Sequence, residues 1–440
     1  MRISGPRALE IAHASTGKRF AARQARYCRF LDVNGDAIDA GIVLCFAGPN
    51  SYTGDDVVEL QGHGGPVVLR LILDAVLARG ARMARPGEFT ERAFLNGKLD
   101  LAQAEAVADL IASASAAAAR GAMRSLEGEF SAAVEAIDQS ILGLRVFVEA
   151  AMDFPEEEVE FLAEGQVADG LTRISEALAS LLRETRQGVL LRDGILMALI
   201  GLPNVGKSSL LNRLAGQERA IVSEIPGTTR DVVEADLVLE GLPIRVVDTA
   251  GLRDSVDPIE REGVRRARLQ AARADLVLVL EDDCAAGPWS VSPLRAMLRD
   301  ILPDIDSGRV IRVLNKIDRS GGPPGPRAHA GAPLSGDQLM EVGISAVTGA
   351  GIDTLVRLVK ARTGYAGEGT AFTARRRHVE ALRGAAAALG ESRDLLEARA
   401  PAELVAEELR NAHLALGSIV GTVSADELLG EIFARFCIGK

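Results

Sequence analysis

Cysteine is scarce: Cys28, Cys45, Cys284 and Cys437 are all that the 440-residue chain holds, and no two stand in a Cys-x-x-Cys pair. This spacing signals neither a structural zinc site nor a disulfide framework, and it suits a reducing cytoplasm. Aromatics are only 4% of the chain, while Ala is abundant, a balance that favours helix. Long hydrophobic runs are missing too. The most apolar stretch, Gly194 to Gly201, is far shorter than the ~18 residues of a membrane span and reads as a buried strand. No signal peptide and no membrane association are expected, and the localisation read from these features is cytoplasmic. Positive charge is in deficit, with 50 Lys and Arg against 61 Asp and Glu, a net charge of −11. Non-specific nucleic-acid affinity comes from phosphate neutralisation by Lys and Arg, so a generic polyanion binder is disfavoured, although a local basic patch stays open.

What is present is the composition of a globular protein, 48% hydrophobic and 25% charged. At roughly 100–200 residues per domain, the length calls for two to four domains. Residues 1–98 mix short strand-like runs, such as Ala40–Phe46, with Gly/Pro turns and the helical spacing of Pro66–Gly80, the pattern of a small α+β domain. Residues 99–193 are helical, with Leu99–Ala119 Ala-rich and striped by Leu101, Ala104, Val107, Ala108 and Ile111. Phe154-Pro155 interrupts them, followed by Glu156, Glu157, Glu158 and Glu160, which read as acidic residues at a helix start or as a metal or basic-partner site.

Residues 194–364 alternate strand and helix, the sign of a parallel α/β sheet. The apparent strands are Ile195–Ile200, Val232–Glu240, Ile244–Val247, Leu276–Leu280, Val310–Leu314 and Val342–Ile344, and Ser320–Asp337 reads as a surface loop. Residues 365–440 are helical again. The two helical stretches are expected to pack together, making the α/β unit an insertion into one discontinuous helical domain.

That inserted unit carries a set of motifs in order. Gly201-Leu202-Pro203-Asn204-Val205-Gly206-Lys207-Ser208 matches GxxxxGK[ST] and stands between a strand and a helix, as the motif requires. Its backbone N–H groups face phosphate, Lys207 reaches the β- and γ-phosphates, and the Ser208 hydroxyl is a Mg²⁺ ligand. Asp248-Thr249-Ala250-Gly251 ends a strand, with Asp248 placed to hold Mg²⁺ through water and the Gly251 N–H to meet the γ-phosphate. Between them, Pro226-Gly227-Thr228-Thr229 supplies the loop threonine of the Mg²⁺ shell. Asn315-Lys316-Ile317-Asp318 closes a further strand. The Asp318 carboxylate can accept from guanine N1–H and the exocyclic amine; adenine offers no such pair of donors, so the nucleotide is read as GTP. Ser345-Ala346-Val347 supports the base edge. A common small-GTPase pattern orients the attacking water with a Gln after the DxxG glycine. Here the position is Leu252, which cannot hydrogen-bond, and Asp254, Asp257, Glu260 and Glu262 are the candidates to replace it.

Taken together with segments outside this unit, the chain resembles the MnmE (TrmE) family of tRNA-modifying GTPases nearly end to end. The resemblance rests on Gly48-Pro49-Asn50-Ser51-Tyr52-Thr53-Gly54, Glu59-Leu60-Gln61-Gly62-His63-Gly64-Gly65, Arg85-Pro86-Gly87-Glu88-Phe89, Arg92-Ala93-Phe94-Leu95-Asn96 and Lys98-Leu99-Asp100-Leu101-Ala102-Gln103-Ala104-Glu105. It continues through Arg375-Arg376-Arg377-His378 and ends on Phe436-Cys437-Ile438-Gly439-Lys440, which generic GTPases do not carry. The resemblance implies an N-terminal α+β domain of folate-binding type, a helical domain in two parts, and a Ras-like P-loop GTPase domain inserted between them. Members generally open about twenty residues earlier, with a strand and a Gly-rich turn before the Arg-Ile-Ser-Gly found at Arg2–Gly5.

The resemblance also implies an activity: GTP-dependent addition of an aminomethyl-type group to C5 of the wobble uridine (position 34) of certain tRNAs. The partner would be an MnmG-type FAD-dependent protein, in a heterotetramer with the homodimer, and the one-carbon unit would come from a 5,10-methylene or 5-formyl tetrahydrofolate. Folate contacts carry over to Arg2, Glu59, Lys98 and Lys440. K⁺ ligands carry over to Asn204, Ser223, Ile225 and Thr228, within a nucleotide-covering stretch Ser223-Glu224-Ile225-Pro226-Gly227-Thr228-Thr229, with Mg²⁺ on Ser208 and Thr229. Val205, Gly206, Ser209, Thr249, Ala250 and Gly251 complete the GTP contacts. Glu260 becomes the catalytic group that orients water, with Lys207, and Cys437 reads either as a nucleophile or as a small buried hydrophobe beside Phe436. His63 is expected to be structural. Arg375–His378 reads as an RNA contact or as a basic helix start. The rival function, a GTP-driven switch in ribosome assembly, generally adds a basic RNA-binding module, whereas residues 401–440 hold six acidic and three basic residues.

Overall fold

A computed structural model describes residues 1–153, 160–216, 235–248, 272–289, 292–299, 308–327, 339–367, 372–422 and 432. Contacts divide the chain into two compact units, one of residues 1–108, 126–175 and 384–440, the other of residues 109–125 and 176–383.

The first unit opens with an antiparallel four-stranded sheet, order β1-β4-β3-β2, made of β1 (Arg2–Ser4), β2 (Arg26–Leu31), β3 (Ala37–Phe46) and β4 (Val57–Gln61). Alternation along each strand turns Ile3, Cys28, Phe30, Val43, Cys45, Val58 and Leu60 to one face. There α1 (Ala8–Thr16) and α2 (Pro66–Ala78) cover them with Ile11, Ile72 and Val76. α3 (Glu88–Leu95) follows. This is the α+β domain expected from the residues, with Pro66 at the first turn of α2, where its missing N–H costs nothing.

The Ala-rich stretch is not one helix. α4 (Leu101–Ile111) and α5 (Ala116–Leu126) are separated at residues 112–115. Ser113 Oγ donates back to the Asp109 carbonyl at 2.8 Å, and Ser115 Oγ accepts the Ala118 N–H at 3.1 Å, the bond of a helix N-cap. The two serines outweigh the alanines around them. α6 (Glu129–Asp153) and α7 (Glu160–Asp193) complete this helical stretch. Beyond the α/β unit come α12 (Arg376–Glu397) and α13 (Ala402–Val420), and α13 lies along α6, with Leu409 and Leu416 buried and His413 Nδ1 2.7 Å from Asp138 Oδ1. The helices before and after the α/β unit therefore meet. Among the described residues, no helix is long and apolar enough to cross a membrane.

The second unit is built on a seven-stranded sheet, order β10-β11-β9-β8-β5-β7-β6. Its strands are β5 (Ile195–Gly201), β6 (Ala235–Leu239), β7 (Leu242–Asp248), β8 (Leu276–Asp282), β9 (Val310–Asn315), β10 (Gly325–Arg327) and β11 (Met340–Gly343). The five from β7 to β11 across β5, β8 and β9 run parallel, and β6 and β10 are antiparallel edges. α8 (Lys207–Ala215) and α11 (Ile352–Thr363) bury Leu210, Leu214, Leu355 and Val359 on one face, and α9 (Pro293–Arg299) buries Leu294 and Leu298 on the other. Covered on both sides, β5 and β8 read as unbroken apolar runs.

The stretch Ser320–Asp337, read as a surface loop, contributes the edge strand β10. Pro326 is tolerated because an edge strand leaves one side without ladder bonds, and Arg327 is tied to Asp283 at 2.6 Å.

Candidate functional site

Parallel strands bring their carboxyl ends to one edge. β5 ends at Gly201 opposite Leu280 of β8, Asp282 of β8 stands opposite Asn315 of β9, and Asp248 of β7 stands beside Leu199 of β5. From β5 the chain passes to β6 and β7 on one side and then to β8 on the other, so Gly201 opens at the switch point where α/β sheets bind ligands. The described motif residues at the ends of β5, β7 and β9 thus stand at one rim.

After Gly201 the backbone turns sharply. Asn204 has φ 63° and Gly206 has φ 99°, both left-handed, and Gly206 is the residue on which α8 begins. A Cβ at Gly206 would stand 2.4 Å from Asn315 Nδ2, so both conformation and space demand glycine. Asn204, Ser208 and Ser209 are exposed, and Val205 is buried. Lys207 arches back over the loop, its Nζ donating to the Gly201 carbonyl at 2.8 Å. The N–H groups at the first turn of α8 carry the partial positive charge that anions seek.

Asn315 fastens this loop to the opposite side of the rim. It is 1% exposed; its Nδ2 donates to the Val205 carbonyl at 2.8 Å and its Oδ1 accepts the Ala346 N–H at 3.0 Å. Lys316 is left-handed, with φ 69°, and its ammonium meets Asp282 Oδ2 at 2.7 Å. That bond, more than any other cause, holds the Asp282 carboxyl below its usual range. Asp318 is exposed on the short helix α10 (Ile317–Ser320) that follows. Ser345 is fully buried, and its Oγ accepts the Thr348 N–H at 3.1 Å, shaping the turn that presents Ala346 and exposed Val347. Two residues outside the motifs also belong here. Asp282 was legible only as a carboxylate at the end of a parallel strand. Arg213 carried no signal: its Nε donates to the Ala346 carbonyl at 3.1 Å and its Nη2 to the Val347 carbonyl.

Below this rim lies a buried charge. Arg312 on β9 is 2% exposed, and its donors reach Glu341 Oε1 at 2.8 Å, the Gly287 carbonyl at 2.6 Å and the Glu281 carboxylate, with Trp289 stacked 5.5 Å away. A buried guanidinium persists only when satisfied in this way. It ties together β8, β9 and β11, the strands that carry the base-side loops.

In the N-terminal sheet, Arg2 and Glu59 stand side by side on β1 and β4 with 2.9 Å between their charges, and the Arg2 guanidinium lies 5.6 Å from the Tyr52 ring and 5.8 Å from Phe89. Lys98 is exposed just past α3. Glu88 is 4% exposed. Its carboxylate takes Arg82, the Arg85 N–H at 2.8 Å and Arg92 at 2.9 Å, and these bonds, Arg82 first, drive its pKa down to about 2. His63 is held to Asp39, Nδ1 to Oδ1 at 2.7 Å. Arg375 pairs with Asp109 at 2.8 Å, and buried His378 accepts the Arg375 N–H at 3.1 Å, which is the helix-start alternative. Ser223 to Thr229, Thr249 to Gly251, the acidic candidates including Glu260, and Cys437 and Lys440 lie outside the described residues.

The description "GTP-binding protein TrmE N-terminus" matches residues 1–98, and "MnmE helical domain" matches residues 101–437. The chain belongs to the MnmE (TrmE) family. The tRNA modification GTPase MnmE of Pseudomonas aeruginosa (strain UCBPP-PA14) is 50% identical over 443 residues, covering 100% of this chain and 95% of that protein. Its counterpart from Nitrosococcus oceani is 48% identical over 441 residues, covering 100% and 93%. Among solved structures, the G domain of the T. maritima FeoB iron transporter is 26% identical, covering 38% of this chain and 98% of that chain with a TM-score of 0.27.

Proposed function

We propose that this chain hydrolyses GTP in the service of modifying the wobble uridine of tRNA. The observation that carries the reading is the shared rim of motifs on a chain whose family match and relatives extend beyond the GTPase unit to both ends. The phosphate loop after β5 cradles the β- and γ-phosphates through its N–H groups, and Lys207 exchanges its bond to the Gly201 carbonyl for the phosphate oxygens. Asp318 reads guanine, and Ser345, Ala346 and Val347 support the base edge. Ser208 and Thr229 suit Mg²⁺, with Asp248 behind a water; the exposed Ser208 hydroxyl at the start of α8 is the kind of hard oxygen donor this ion takes. When bound, it neutralises charge on the β- and γ-oxygens.

In hydrolysis a water attacks the γ-phosphorus, the bridging bond to the β-phosphate breaks, and GDP and phosphate leave. Glu260 orients that water, because Leu252 has no group to do so. Asn204, exposed in its left-handed turn beside the phosphate loop, offers an amide oxygen to K⁺, with Ser223, Ile225 and Thr228 as further ligands.

Residues 1–98 bind the folate through Arg2, Glu59 and Lys98, joined by Lys440 from the C-terminal motif, and form a homodimer. The adjacent Arg2–Glu59 pair, framed by Tyr52 and Phe89, supports this reading, since a planar ring system suits aromatic walls beside paired donors and acceptors. Residues 99–193 and 365–440 form the helical domain around a GTPase domain of residues 194–364. Cys437 serves the modification, an FAD-dependent MnmG-type protein is the partner, and the cytoplasm is the site of action. The deciding experiment is nucleoside analysis of tRNA from cells lacking this chain. The C5 modification of the wobble uridine disappears, wild type restores it, and Lys207→Ala does not. Unchanged wobble uridines in the deleted strain would refute the proposal.

A further inference from the structure

The phosphate half and the base half of the rim are joined twice. The first tie is Asn315, which takes the Val205 carbonyl at 2.8 Å on one side and the Ala346 N–H at 3.0 Å on the other. The second starts from α8, whose first turn carries Lys207 and Ser208. Less than two turns further along the same helix, the Arg213 guanidinium spans to the base-side loop and donates to the successive carbonyls of Ala346 and Val347, 3.1 Å to the first. The Ala346 peptide is therefore held at both its N–H and its carbonyl, and the ties close a ring through phosphate loop, α8, Arg213, Ala346 and Asn315.

The loop needs such an anchor. Its tip residue Val347 is 70% exposed, so apolar burial holds the loop only through the single methyl group of Ala346. Its own bonds are local, from the Thr348 N–H to Ser345 Oγ at 3.1 Å and from the Gly349 N–H to the Ser345 carbonyl at 2.8 Å. These shape the turn without setting where it stands relative to α8. A planar guanidinium supplies two donors in a fixed fork, which matches two neighbouring carbonyls, and charged donors make the stronger hydrogen bonds. An open cleft of about 450 Å³, lined by Ser209, Asn212, Arg213, Ala346 and Asp353, runs beside this bridge.

We propose that Arg213 is a positioning residue for guanine nucleotide. It sets the distance between the phosphate-binding helix and the base-supporting loop, so that phosphates and base are gripped together. The inference rests on the reading of the rim as a GTP site. The test compares wild type, Arg213→Ala and Arg213→Lys in the full-length protein, using a fluorescent GDP for affinity and dissociation rate and steady-state hydrolysis for kcat and KM. In Arg213→Ala, GDP leaves about tenfold faster and KM for GTP rises about tenfold, the loss of one to two charged hydrogen bonds in a partly solvated setting. Meanwhile kcat stays within about twofold, because Lys207 and the backbone of the phosphate loop are retained, and the unfolding temperature without nucleotide falls by only about 2–4 °C. Arg213→Lys recovers part of the affinity, since an ammonium reaches one carbonyl but cannot fork. Wild-type dissociation rates in Arg213→Ala overturn the proposal. So does a parallel fall of affinity, kcat and thermal stability, which marks a merely structural residue. Failure of wild type to bind GDP would instead overturn the GTP-site reading on which the proposal stands.

Discussion

Guanine offers two adjacent donors, N1–H and the exocyclic amine, and under the proposed function Asp318, exposed on α10, meets them with its two acceptor oxygens. Asp318→Asn turns one acceptor into a donor that faces another donor. Xanthine carries a carbonyl where guanine has its amine, so complementarity returns with the base changed. The variant is expected to lose about 100-fold or more in GTP affinity, the scale of rejection by a site built to hydrogen-bond its substrate, and to prefer xanthosine triphosphate. Competition binding with both nucleotides checks this, and unaltered GTP selectivity would remove Asp318 from the role. Residues such as Asp318 and Lys207 were open to proposal from the sequence because their chemistry demands neighbours at fixed spacing. Arg213 was not. Its partners are backbone carbonyls more than a hundred positions away, and carbonyls leave no trace in residue identity.

Elements were legible where one physical preference acted alone. Six strands of the seven-stranded sheet followed from apolar runs, since strands covered on both faces leave little polar alternation to misread, whereas the edge strand β10, with Pro326 at its centre, read as loop. The division of Leu99–Ala119 into α4 and α5 did not follow from periodicity. Alanine propensity favoured one helix, and the side-chain bonds of Ser113 and Ser115 decided for two. Helix α3 depends on a similar local tie, because its first residue, Glu88, collects Arg82, Arg92 and the Arg85 N–H. A carboxyl whose folded pKa is about 2 against an ordinary 4.5 adds stability that is full above the ordinary value and is lost as pH falls from about 4.5 through about 2. Glu88→Gln should therefore destabilise this region at neutral pH by about 2 kcal/mol. It should also flatten the acid-induced loss of protection in that window. Amide hydrogen exchange of residues 88–95, followed between neutral pH and the acid limit, reads both effects locally. Identical acid profiles for wild type and variant would show that the tie contributes nothing.

At the scale of the molecule, the question is what meets the charge that hydrolysis develops. The γ-phosphoryl transition state spreads negative charge over its oxygens, and in the proposed site Lys207 with Mg²⁺ would answer only part of it. The sequence before Thr228-Thr229 holds no obvious arginine finger, and the described residues add none at the rim. Asn204 is exposed in a left-handed turn of the phosphate loop, where an amide oxygen can meet a monovalent cation beside the phosphates. The other expected ligands, Ser223, Ile225 and Thr228, lie outside the described residues, so three of the four expected K⁺ ligands rest on the resemblance alone. A cage sized for K⁺ leaves Na⁺ poorly coordinated, so ion size becomes a probe of the mechanism. Hydrolysis by the intact protein is expected to run faster in K⁺ than in Na⁺ at equal ionic strength, by about tenfold or more, given that removing an arginine finger costs about 10³–10⁵ in rate. K⁺ should also promote pairing of the GTPase domains of two copies when a transition-state mimic is bound, which light scattering detects. Asn204→Ala should erase most of the preference while GDP still binds. Glu260→Ala should slow hydrolysis and leave K⁺-dependent pairing intact, because its proposed work is to hold water rather than the cation. Equal turnover in the two salts would remove the cation from the mechanism and would leave the charge to be met by an arginine from another chain.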